Sequence, residues 1–129
     1  MPAQPLNRIC YVEDDEDVQK IVRMSLERFG KMTVKVIGDP MVAIDAIKAF
    51  KPELVMLDWM MPGMDGLTLY GKMKQVPEVR DLPVVFITAK ASQKELDELR
   101  TVGVAGIISK PFSPMELPAQ LRAIWKALP

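Results

Sequence analysis

Short apolar runs and helix-spaced apolar residues alternate along the whole chain. Ile9-Cys10-Tyr11-Val12 is an apolar run that stops at Glu13-Asp14-Asp15-Glu16, the pattern of a buried strand ending on an acidic edge. Val18, Ile21, Val22, Leu26 and Phe29 follow at helical spacing, with Gly30 in the place of a C′ stop. Thr33 to Ile37 is rich in β-branched residues and reads as a second strand. Asp39-Pro40 offers an N-cap and an N1 proline to a helix whose apolar face is Val42, Ala43, Ile44, Ile47 and Phe50, ended by Pro52. Leu54-Val55-Met56-Leu57 is a third buried run, closing on Asp58. The turn Pro62-Gly63-Met64-Asp65-Gly66 then leads into a helix from Leu67 to about Gln75. Pro83 to Ile87, closed by Thr88, is the fourth strand. Ser92 and Glu95 form a capping box for a helix through Leu96, Leu99 and Val102 that Gly103 stops. Ala105 to Ser109 is a weaker fifth strand. Ser113-Pro114-Met115-Glu116 is a second capping box, opening a last helix through Leu117, Leu121, Ile124 and Trp125. Pro118 falls at the fifth position of that helix, where its missing amide predicts a distorted first turn.

Five βα units in strict alternation, with strands apolar throughout, predict an α/β fold: a parallel five-stranded sheet covered by helices on both faces. Right-handed crossovers leave few topologies. The favoured one at this size is the doubly wound, flavodoxin-like (βα)5 order 2-1-3-4-5. The chain of 129 residues is expected to be a single domain, with residues 1–7 as a flexible lead-in.

Composition narrows the function classes. Apolar residues make up 49% of the chain, enough for a packed core. Seventeen basic residues cancel seventeen acidic ones, so no overall positive field draws the protein to nucleic acid or to a membrane surface. No apolar run is long enough to span a bilayer and no leader pattern opens the sequence, so a cytoplasmic protein is expected. The lone Cys10 reads as a small buried hydrophobe, and the absence of histidine removes the commonest general base and transition-metal ligand.

The polar residues at strand ends carry the chemistry. Glu13 and Asp14 follow the first strand, Asp58 ends the third, Thr88 ends the fourth and Lys110 follows the fifth. The carboxyl ends of parallel strands line one edge of such a sheet, where ligands bind. Three carboxylates, a hydroxyl and an ammonium are therefore expected to converge. Crowded carboxylates repel unless a cation joins them, and a hard dication with oxygen ligands, Mg²⁺ above all, suits the set. With Lys110 facing that metal and Thr88 as a hydroxyl donor, the arrangement is poised for phosphoryl oxygens.

The motifs Val12-Glu13-Asp14-Asp15, Asp58-Trp59-Met60-Met61-Pro62-Gly63-Met64-Asp65-Gly66, Thr88-Ala89 and Lys110-Pro111-Phe112 stand in order, 44, 30 and 22 residues apart from Asp14 to Asp58, Thr88 and Lys110. In these the chain resembles the receiver domains of bacterial response regulators, from about Arg8 to Leu128. The resemblance implies that Asp58 is the phosphoacceptor and nucleophile, that Asp14 and Asp58 bind Mg²⁺ with Glu13 holding the metal or its waters, and that the Met60 carbonyl completes the ligand set. It also implies that Thr88 and Lys110 bind the phosphoryl group and that Lys110-Pro111 is cis. The implied partners are a sensor histidine kinase or phosphotransfer protein upstream and an unidentified protein downstream. The implied activity is the domain's own phosphorylation and dephosphorylation rather than turnover of a separate substrate. The switched surface would be the fourth helix, fifth strand and fifth helix. Met60 and Lys90, two residues beyond Asp58 and Thr88, occupy the family positions that bias hydrolysis of the acyl phosphate, and a bulky Met60 is expected to prolong its life. Ile107 departs from the family, which commonly has a Tyr or Phe three residues before its lysine.

Ile107 keeps open a second class, a docking module with the receiver fold that works without phosphate. A haloacid-dehalogenase-type phosphatase would want a second acid where Met60 stands. A flavodoxin would not present four acids to a flavin phosphate. Asp15, Glu16 and Asp17 read as helix-capping acids. Met60, Met61 and Met64 read as packing rather than as a soft-metal site. Trp59 reads as partly exposed loop packing, and Trp125 as a packing residue of the last helix.

Overall fold

The computed structural model describes every residue except Met1, Ala3, Lys90 and Ala91. The elements run β1 (Arg8–Val12), α1 (Glu16–Met24), β2 (Thr33–Ile37), α2 (Ala43–Phe50), β3 (Leu54–Asp58), α3 (Gly66–Met73), β4 (Val84–Thr88), α4 (Gln93–Thr101), β5 (Gly106–Ser109) and α5 (Leu117–Ala127). The strands form one sheet in the order β2-β1-β3-β4-β5, every neighbouring pair parallel. This is the doubly wound order expected from the alternation.

Each central strand is apolar on both faces, so period two divides the core rather than separating core from solvent. Ile9 and Tyr11 of β1, Leu54 and Met56 of β3, and Val85 and Ile87 of β4 meet Val22, Leu26, Leu117, Leu121 and Trp125 under α1 and α5. Cys10 and Val12, Val55 and Leu57, and Val84 and Phe86 meet Ala43, Ile47, Leu69, Tyr70 and Leu99 under the other three helices. Side chains such as Ile9, Leu26, Leu57 and Leu69 are almost wholly withdrawn from water, each contributing about 1.5–3 kcal/mol.

Helix starts follow their capping residues. Asp15 accepts from the Asp17 and Val18 amides ahead of α1, and Asp65 from the Thr68 amide ahead of α3. Ser92 accepts from the Glu95 amide at 3.2 Å and its hydroxyl donates to the Glu95 carboxylate, so the side chains expected to cap α4 meet at its start. The second expected capping box does not open a helix. Ser113 to Glu116 make a turn with Glu116 and Leu117 amides on the Ser113 carbonyl, and α5 begins at Leu117 with no side-chain cap. Pro118 thereby sits in the first turn of the helix, where no amide is needed.

Other expectations shift for local reasons. Asp39 caps a short 3-10 turn, Pro40–Val42, and Val42 is 53% exposed rather than part of the inward face. α1 continues as a π-helical turn, Ser25–Phe29, whose wider winding turns Phe29 outward. Gly30 has φ −89°, and the left-handed residue is Lys31. Glycine is needed at 30 for closeness instead, since a Cβ there would lie 2.6 Å from the Leu26 carbonyl oxygen and 3.0 Å from the Pro118 side chain. The segment ahead of β1 is tied down from Gln4 onward: Leu6 is buried, Glu53 accepts from Gln4 and from the Asn7 and Arg8 amides, and Trp125 donates to the Gln4 carbonyl. A buried apolar anchor and a carboxylate cap hold residues 4–7 against the sheet. No helix among the described residues is long and apolar enough to cross a membrane.

Candidate functional site

The register builds the site. Val12 lies beside Leu57, so the next residues, Glu13 just past β1 and Asp58 at the end of β3, fall side by side at the carboxyl edge of the sheet. The Glu13 amide donates to the Ile37 carbonyl, holding the start of the β1–α1 loop on β2. Asp58 lies opposite Ile87, Thr88 opposite Ser109, and the Lys110 amide donates to the Thr88 carbonyl at 2.7 Å. The Lys110–Pro111 peptide is cis, as expected.

These backbones bring the charges together. Carboxylate oxygens of Glu13, Asp14 and Asp58 all lie within 4.8 Å of one another. Lys110 Nζ stands 3.3 Å from Glu13 Oε1 and 3.3 Å from Asp58 Oδ1. Glu13 is 1% exposed and Asp58 5%, while Asp14 is open to solvent. Thr88 is buried at the end of β4. Met60, in the loop before α3, is 70% exposed. Lys90 lies outside the described residues. Trp59 is partly exposed and packs edge-on against Phe86 with ring centroids 5.7 Å apart. Gly66 permits the acceptor loop to close: a Cβ there would press into the Asp58 carbonyl oxygen and lie 2.8 Å from the Phe86 ring.

The electrostatics are those of too many carboxylates for one ammonium. Burial pushes the Glu13 carboxyl above the usual range, and nearby Asp58 adds to it, against the opposing Tyr11 hydrogen bond. Asp14 is also raised, by loss of water first and then by Glu13. Partial burial alone would lower Lys110, but the charges of Glu13 and Asp58 outweigh it and hold the ammonium up. An oxygen-only donor set, partly buried and with one flank open through Asp14, matches what a hard divalent cation requires.

Sequence reasoning missed Tyr11. Counted as one more apolar strand residue, it is fully buried and donates its hydroxyl to Glu13 Oε1 at 2.7 Å. The available signal was a hydroxyl two residues before a strand-end acid, on the same face. Ile107 lies beside Phe86 in the sheet and packs, partly buried, on the α2–α4 side of the core.

A parallel 2-1-3-4-5 sheet with acids and a lysine gathered at its carboxyl edge defines the receiver class of signalling domain, and residues 9–122 match the response regulator receiver domain. The chain belongs to that family. It is similar to the phosphate regulon transcriptional regulatory protein PhoB of Klebsiella pneumoniae, 34% identical over 94% of this chain and 52% of that protein. It is also similar to the chemotaxis protein CheY-3 of Vibrio cholerae, 32% identical over 94% of this chain and 93% of that one. The chain thus spans about half the length of the phosphate regulon relatives it matches. Among solved structures, the BeF3-activated N-terminal receiver domain of Klebsiella pneumoniae RstA superposes with a TM-score of 0.80 at 32% identity, covering 91% of this chain and 97% of that one. A response regulator from Desulfuromonas acetoxidans shares the fold, with a TM-score of 0.84 at 24% identity over 95% of this chain and 99% of that one.

Proposed function

We propose that this receiver domain accepts a phosphoryl group on Asp58 from a phosphohistidine of a sensor histidine kinase or phosphotransfer protein, with Mg²⁺ bound beside it. The observation carrying this reading is the shared ammonium: Lys110 equidistant from Glu13 and Asp58, within a cluster of three acids.

In the transfer, an Asp58 oxygen attacks phosphorus in line, a P–O bond forms, the P–N bond to the donor imidazole breaks, and the neutral imidazole leaves. Lys110 meets the charge on the incoming phosphoryl oxygens, and the Thr88 hydroxyl donates to one of them. Asp14, Asp58, the Met60 carbonyl and Glu13, directly or through water, are the groups that would hold the metal. Bound Mg²⁺ supplies positive charge that offsets both the clustered carboxylates and the phosphoryl oxygens. An apolar surface of Val18, Ile21, Pro111, Phe112 and Pro114 borders Lys110 and suits a helix presenting the phosphohistidine.

Phosphorylation then biases the α4–β5–α5 surface toward a downstream protein. Trp59 packs on Phe86, Phe86 on Tyr70, and the Tyr70 hydroxyl donates to the Val102 carbonyl at the end of α4, which supports a route outward from the acceptor loop. Incubation with a small phosphodonor and Mg²⁺ should add one phosphoryl mass to the wild type and none to Asp58→Asn; an unchanged wild type refutes the reading. Ile107, without an aromatic ring to reorient, favours the alternative of phosphate-independent docking, and a downstream partner bound equally by wild type and Asp58→Ala would establish it.

A further inference from the structure

Tyr11 has no part in the proposed transfer, yet its hydroxyl is aimed into the acid cluster from below. It lies on β1 two residues before Glu13, fully buried, on the same face of the sheet. A strand rises about 3.3 Å per residue, so a side chain as long as tyrosine's reaches up to the strand end, and its Oη stands 2.7 Å from Glu13 Oε1. This is a charge-assisted bond in a place that water does not reach.

The other contacts of Glu13 give that bond its meaning. Oε1 also accepts from Lys110 Nζ at 3.3 Å, and Oε2 accepts from the Asp15 amide at 3.2 Å. A carboxylate oxygen takes about two donors. Oε1 is therefore full, and Oε2 keeps room for one more partner. The phenol also competes with Lys110 for Oε1, which leaves the ammonium as close to Asp58 as to Glu13.

We propose that Tyr11 is a positioning residue for the cation site: by occupying Glu13 Oε1 it turns Oε2 toward the cation or its waters and keeps Lys110 shared with Asp58. The proposal rests on the reading of the site as a Mg²⁺-dependent phosphoacceptor. Without the phenol, Glu13 is free to rotate and to draw Lys110 onto itself, away from Asp58. The part played is that of the hydrogen-bonded shell behind a metal ligand, whose loss typically weakens binding by about 10–100-fold.

Mg²⁺ titration of the intact protein, followed by the fluorescence of Trp59 beside the acceptor, tests this. Tyr11→Phe should raise the Mg²⁺ dissociation constant by about tenfold, and saturating Mg²⁺ should return phosphoryl uptake from a small phosphodonor to near the wild-type rate. In Glu13→Asp the shorter carboxylate withdraws from the phenol, so adding Tyr11→Phe there should change the dissociation constant no further. A purely structural hydroxyl would lower the melting temperature and leave Mg²⁺ affinity alone, and that result overturns the proposal. So does an equal loss in both backgrounds. A second measurement needs no variant at this position. With fluorotyrosine in place of both tyrosines, the Tyr11 fluorine resonance should move with Mg²⁺ at the same midpoint as Trp59 fluorescence, while Tyr70 stays still; a stationary Tyr11 signal overturns the proposal. A wild type that binds no Mg²⁺ overturns the reading of the site, and the proposal with it. A wild type that binds and a Tyr11→Phe that binds equally overturn the proposal alone.

Discussion

In the absence of a divalent cation, Asp58→Asn should make the protein more stable although it deletes an ion pair. The carboxylates lie at most 4.8 Å apart, and two charges at that distance repel by about 3.5 kcal/mol at an effective dielectric constant of ~20. Asp14 is exposed and its repulsion is screened to about 1 kcal/mol. Against this, Asp58 loses attraction to Lys110, 3.3 Å away, of about 5 kcal/mol on the same scale. Those terms almost cancel, and Lys110 retains Glu13 as a partner. The desolvation of an ionised carboxylate that is 5% exposed then decides the sign, since it costs several kcal/mol that an amide does not incur. A net gain of about 2 kcal/mol is expected, or roughly 7 °C in melting temperature for a chain of this size. Thermal melts in chelator and in excess Mg²⁺ measure it. Wild type should recover much of the difference with Mg²⁺, and the Asn variant little. An Asn variant that melts lower than wild type in chelator would show that the Lys110 pair outweighs carboxylate crowding, and the electrostatic account of the site would be wrong.

Four further outcomes follow from the same contacts. Glu13 is raised above its ordinary value of 4.5, so the folded state holds that proton longer than the unfolded chain. Stability without Mg²⁺ should then fall as pH rises from about 4.5 through the elevated value, and excess Mg²⁺ should flatten the slope in urea melts between about pH 5 and pH 8. Lys110 is raised from 10.5, so its contribution is intact below that pH and is lost only above it, outside this window. Gly66→Ala should cost about 1–3 kcal/mol by pressing on the Asp58 carbonyl and Phe86, whereas Gly71→Ala, with open space around its Cβ, should gain about 0.5–1 kcal/mol as a helix substitution; chemical denaturation separates the two. Burial pushes the Cys10 thiol up to about 12, so a thiol reagent at about pH 8 should label only denatured protein.

The sequence exposed the sheet and the acid cluster because both are written in local patterns that the topology then assembles. Apolar runs ending on Glu13, Asp58 and Thr88 fix where each strand stops, and in a parallel sheet those stops share an edge. Features that depend on distant contacts were not available in the same way. Gly30 looks like a helix stop, but its small size answers to the Leu26 carbonyl of the preceding turn and, in part, to Pro118 on α5, far along the chain. Ser113 to Glu116 carries the letters of a capping box, yet Pro118 moves the helix start to Leu117, where its missing amide is harmless. Leu6 belongs to no periodic run, and only the packing of α5 and the reach of Glu53 make it an anchor. Tyr11 reads as one apolar residue among four until the strand register shows its hydroxyl beneath Glu13.

Reduction of the phosphorylated protein with borohydride, followed by peptide sequencing by mass spectrometry, addresses the central claim most directly, because an aspartyl phosphate is converted to homoserine at the residue that carried it. Homoserine at position 58 after treatment with phosphodonor and Mg²⁺, and aspartate there when chelator replaces Mg²⁺, is the expected result. Homoserine at another aspartate, or unaltered Asp58 in a folded, Mg²⁺-saturated protein, would contradict the account.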